Sequence, residues 1–127
     1  MPARFVIEKE HRLVISTAWD RVTYAEILAH RDQLVRNFDF NPEFNQLVDG
    51  AAVTALDITM DEAKAIAGSS IFSPTSRRAF VASGLSILAM ARLVETYSRM
   101  RNEREQVKVF RDLDVAVKWL GLDTVPR

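Results

Sequence analysis

The chain has 127 residues, 48% of them hydrophobic, which is room for one domain over 1–127 with a core of its own. It has no cysteine, which excludes disulfides, thiolate metal sites and cysteine nucleophiles and fits a reducing compartment. Its 17 basic and 17 acidic residues cancel, which argues against general nucleic-acid binding.

Residues 4–8 and 12–19 are rich in β-formers and alternate in polarity, with Lys9, Glu10 and His11 suited to the turn of a hairpin. Thr23 and Glu26 form a capping box that opens a helix. Ile27, Leu28, Arg31, Leu34 and Val35 follow at helical spacing, and Asn41-Pro42 requires the helix to end near Asn37. Residues 44–49 read as a short strand closed by Asp49-Gly50, and 51–56 are undecided between strand and loop. Thr59 and Glu62 make a second capping box for a short helix that Gly68 is placed to end. After a loop containing Pro74, residues 77–83 read as a buried strand. The longest helix spans 85–102, apolar on most sides in its first half and carrying Arg99 and Arg101 in its second. A last strand, 106–110, precedes a helix capped by Asp112 and ended by Gly121. The predicted order is β-β-α-β-α-β-α-β-α. This is an α/β fold with a mixed, mainly parallel sheet and an N-terminal β-hairpin.

That element order, with the stretches at 40–50, 76–83 and 109–122, resembles the STAS family. These are the SpoIIAA-like anti-sigma-factor antagonists and the cytosolic domains of sulfate transporters, and the closer likeness is to uncharacterised bacterial SpoIIAA-like proteins. The resemblance implies a non-enzymatic regulatory or protein-interaction module. In antagonists of that family, a serine or threonine at the start of the helix after the third strand is phosphorylated. The matching segment is Asp57-Ile58-Thr59-Met60, which puts Thr59 at the switch position and lacks the neighbouring serine and the glycine. As a residue in its own right, Thr59 is explained by its helix cap.

In a parallel sheet, ligands gather at the carboxyl ends of strands, where this sequence offers Asp20, Asp49, Ser83, Gly84 and Arg111. His11 and His30 have no ligand-spaced partner, and no P-loop, dinucleotide fingerprint or nucleophile elbow occurs. No enzyme activity, metal or cofactor is therefore expected. Trp19, Phe72, Phe80, Met90, Tyr97 and Trp119 are candidates to line a cavity. SEC14-type lipid-binding domains share the family's architecture, which gives the alternative function: a carrier or sensor of a small apolar or anionic ligand. Arg77-Arg78, with Arg99, Arg101 and Arg104, reads as a solvated face or a site for an acidic partner.

Residues 1–63 hold 6 basic and 11 acidic side chains, a balance of −5, and residues 64–127 hold 11 and 6, a balance of +5. Opposite charges on different sides would favour a protein partner or a homodimer. No segment reads as a signal peptide or membrane span, and a cytoplasmic location is expected.

Overall fold

Two runs of alternating apolar residues open the chain as an antiparallel pair. β1 (Ala3–Glu8) and β2 (Leu13–Thr23) are joined by a 3-10 turn, Lys9–His11, which Arg12 closes with a φ of 52°. The structure is a computed structural model and describes residues 2–126. α1 (Tyr24–Arg36), β3 (Asn45–Asp57), α2 (Met60–Gly68), β4 (Arg77–Ala82), α3 (Leu85–Arg101), β5 (Gln106–Phe110) and α4 (Leu113–Trp119) follow. The sheet order is β1-β2-β3-β4-β5, and every pair after the hairpin is parallel. This is the mixed α/β sheet that the element order predicts, with α1, α2 and α3 as the crossovers.

Alternation along the strands gives the sheet two faces. Leu13, Leu47, Ala79, Val81 and Phe110 pack against Ala116, Val117 and Leu120 around α4. The opposite face is covered by the three crossover helices. There Val14 meets Leu34 of α1, and Ala82 and Val109 meet Ile87, Leu88 and Ala91 of α3. α2 lies against α3 through Ala63, Ile66, Ala67 and Val94.

The strands are longer than the sequence pattern indicates. β2 runs to Thr23 rather than ending at Trp19, and β3 takes in all of 51–56 and reaches Asp57. The two extensions pair with each other, from Trp19 with Ala52 to Thr23 with Asp57, so each keeps the other extended past its turn-like residues. Asp20 sits in this ribbon at a register shift, with a φ of 57° that aspartate tolerates better than most side chains. Asp20 and Asp49 therefore lie within strands, not at their carboxyl ends.

Both capping boxes form, with Glu26 and Glu62 reaching back to the Thr23 and Thr59 amides. Gly121 ends α4 in the left-handed region at φ 83°. Its amide bonds the Lys118 carbonyl, and the Leu122 amide bonds that of Val117. Gly68 does not act this way: it is the last residue of α2, and Ser69 follows as the cap. That end is held by side chains. Ser69 Oγ donates to the Ala65 carbonyl at 2.6 Å, and Arg31 crosses from α1 to the Ile66 and Ser69 carbonyls.

Candidate functional site: a cavity beneath the crossover helices

Three helices laid across one sheet face do not fill the space beneath them. A cavity of about 190 Å³ remains between the sheet and α1, α2 and α3. Its apolar wall includes Val48, Phe80 and Ala82 from the strands, Ile27 and Leu34 from α1, and Ile66, Ile87, Ala91 and Val94 from α2 and α3. Val48 and Phe80 sit side by side on the central strands β3 and β4, where both faces are normally sealed, yet both are only partly buried. The cavity is what leaves them accessible.

Within this apolar wall, three strand residues facing the helices are polar: Ser16, Gln46 and Arg78. Gln46 and Arg78 are register partners on β3 and β4. Gln46 Nε2 donates to Ser16 Oγ at 3.2 Å, and Ser16 Oγ lies 2.8 Å from His30 Nε2 on α1. The Ser16 oxygen accepts from Gln46 and either donates its own proton to His30 Nε2 or accepts one from it, according to the tautomer of the ring. Among the described residues, Nδ1 is buried without a partner. The ring stands edge-on to Phe5 at 5.5 Å. Burial lowers the His30 pKa, so the imidazole is held neutral.

Arg78 is the unusual member. Its side chain is 6% exposed and that of Glu105 is 4%, with Arg78 Nη2 donating to Glu105 Oε2 at 3.2 Å. Its guanidinium lies 5.7 Å from the centre of the Phe72 ring, and its Nε has no partner among the described residues. Burial lowers the Arg78 pKa, against which the charge and hydrogen bond of Glu105 act. Arg31, also in the wall, donates Nη1 to Ser69 O and Oγ at 3.1 and 2.8 Å and Nη2 to Ile66 O at 2.9 Å. Burial and then the charge of Arg78 push its pKa down to about 10.

The residues singled out in the sequence fall elsewhere. Asp49 Oδ1 accepts from the Ala51 amide at 3.2 Å, and Ser83 Oγ donates to the Ala51 carbonyl at 2.8 Å, so these two meet on one stretch of backbone. Gly84 is the uncapped N-cap of α3, and Arg111 is exposed just past β5, beside the end of β4. Asp20 is exposed in the β2–β3 ribbon, apart from these. Thr59 is exposed at the start of α2, where its Oγ1 accepts from the Glu62 amide at 3.1 Å. None of the six lines the cavity. Of the six candidate aromatic and methionine residues, Phe72 and Phe80 line it. Met90 and Tyr97 pack between α2 and α3, and Trp119 packs on Phe110 beneath Arg77. The Arg77-Arg78 pair is split by alternation: Arg77 is exposed and donates to the Trp119 carbonyl, while Arg78 is buried.

The architecture is the SpoIIAA-like fold. A solved structure that shares it is an uncharacterized protein of the DUF3478 family from Shewanella loihica PV-4, described as having a SpoIIAA-like fold. The likeness covers 93% of each chain at a TM-score of 0.58 and 17% identity. No protein-family model and no curated protein matches the chain. Among the described residues, no helix is long and apolar enough to cross a membrane, and no group of three or more His, Asp or Glu side chains is placed to hold a metal ion.

Proposed function

We propose that the chain is a single non-enzymatic SpoIIAA-like domain that carries or senses a small, mostly apolar molecule. The observation that carries this is the cavity beneath the crossover helices, with Val48 and Phe80 left accessible on central strands. An engineered cavity of about 150 Å³ lined by Leu, Ile and Phe takes up benzene, so about 190 Å³ suits a body of about eight non-hydrogen atoms. Titration calorimetry with 1-hexanol tests it. Saturable binding at one site is expected, and Val48→Phe, which fills the cavity, is expected to abolish it. No binding to the wild-type chain, or equal binding to Val48→Phe, overturns the proposal.

A second reading, a module that regulates a protein partner, is favoured by one surface feature. Phe38 is 99% exposed just beyond α1, whose Val35 and Leu28 are 53% and 41% exposed. Leu28 and Val35 stand two turns apart on one face of α1, and exposed apolar faces mark interaction surfaces. In this reading, phosphorylation at Thr59 would add charge beside Asp57, Asp61 and Glu62 and alter the start of α2. Partner binding that survives Phe38→Ser together with Val35→Ser would exclude this surface.

A further inference from the structure

We propose that the cavity selects a monoanionic ligand, a carboxylate on an apolar body, and that Arg78 is the residue that reads the carboxylate. This rests on the cavity reading above and adds the chemistry of the head group.

Arg78 is the reason. A guanidinium has five N–H donors in a fixed fork, and among the described residues only Nη2 is engaged, by one carboxylate oxygen of Glu105. The side chain is more than nine-tenths buried and forms part of the cavity wall. Buried donors without acceptors are costly, so what enters must present acceptors. A carboxylate matches the fork with two oxygens, and a charge-assisted bond is about twice as strong as a neutral one.

Of the surrounding charges, Glu105 opposes an entering anion and Arg31 attracts one. Gln46, the register partner of Arg78, is uncharged, and His30 in the same wall is held neutral by burial, with its Nδ1 unpartnered among the described residues. Arg31 adds a second cation to the wall, and its lowered pKa reflects in part the repulsion from Arg78, which an anion in the cavity would relieve. The one carboxylate in the wall, Glu26, keeps its charge, with Oε1 turned to the Thr23 amide and hydroxyl at 2.9 Å each. Apart from Ser16 and Thr17, the remainder of the wall is apolar, which suits the body of the same molecule.

The probes are hexanoate and 1-hexanol, compared by calorimetry at a pH where hexanoate is fully ionised. Hexanoate is expected to bind about tenfold tighter or more, the effect of one charge-assisted bond. In the double variant Arg78→Met with Glu105→Leu, which leaves neither charge alone in the interior, that preference is expected to vanish. In the wild-type chain, the Arg78 Nε–H resonance is expected to move with hexanoate and not with 1-hexanol, a readout that does not depend on any variant folding. Saturable 1-hexanol binding with equal or weaker hexanoate binding overturns the anion proposal and leaves the cavity reading standing. Failure of both probes overturns both. Hexanoate binding that leaves the Arg78 resonance unmoved overturns the role of Arg78.

Discussion

His30 is neutral because its ring is buried, and this makes stability depend on pH in a defined direction. Its folded pKa lies below the ordinary 6.5, so between the two values the unfolded chain binds a proton that the folded chain resists. The stabilisation is full above about 6.5 and declines as pH falls from there toward the lowered value. Urea unfolding at pH 7.5 and 5.5 is expected to show a larger loss in the wild-type chain than in His30→Gln, whose carboxylates respond alike. Thr59 has a separate role. Its oxygen and the Glu62 carboxylate satisfy two amides at the start of α2, so Thr59→Ala is expected to cost about 1 kcal/mol and Thr59→Ser to be nearly neutral. Gly50 faces a different constraint. A Cβ there would stand 2.8 Å from the Val81 carbonyl oxygen on the next strand. Denaturation of Gly50→Ala is expected to show a loss of about 1–3 kcal/mol, because backbone must move to admit the methyl group.

At the scale of elements, the Arg78–Glu105 pair joins β4 to the segment entering β5 and is buried on both sides. Removing one partner strands a charge in the interior. Glu105→Leu alone is expected to cost about 3–5 kcal/mol, while the double variant with Arg78→Met is expected to lie near the wild type or above it. Chemical denaturation of both variants checks this. A single variant as stable as the wild type would mean that Arg78 reaches water. Arg31 plays the corresponding part for the end of α2, donating to the Ile66 and Ser69 carbonyls. Arg31→Ala is expected to speed amide exchange at the end of α2 and leave α4 unchanged. The helices were legible in the sequence because their signals are local: T-x-x-E boxes, Asp112 before an apolar face, Gly121 after it. The long strands were not, since Ala51–Leu56 is extended by pairing with β2, a contact remote in sequence. The cavity's polar wall left a faint trace. Ser16, Gln46 and Arg78 are polar at positions where period-two alternation points to the helix layer, yet nothing local says that β2, β3 and β4 bring them together or that His30 closes on Ser16.

For the whole molecule, part of the charge imbalance between the two halves meets within one helix layer. α2, with Asp61 and Glu62, packs directly on α3, which carries exposed Arg92, Arg99 and Arg101. Helices carrying opposite charges therefore lie side by side in that layer, and the field of exposed charges is short-ranged at physiological salt. Light scattering is expected to give a monomer there, with any self-association confined to low salt. A dimer unchanged from low to high salt would require a buried apolar interface instead. What the fold builds without filling is the space between its sheet and its crossover helices, where the proposed ligand would sit. The most direct measurement is an isotope-filtered nuclear Overhauser experiment with labelled protein and unlabelled 1-hexanol. Contacts are expected from the alkyl chain to the methyl groups of Val48, Ala82, Ile87 and Ala91. Contacts confined to surface residues such as Val35 and Leu28, with none to those four, would contradict the cavity reading.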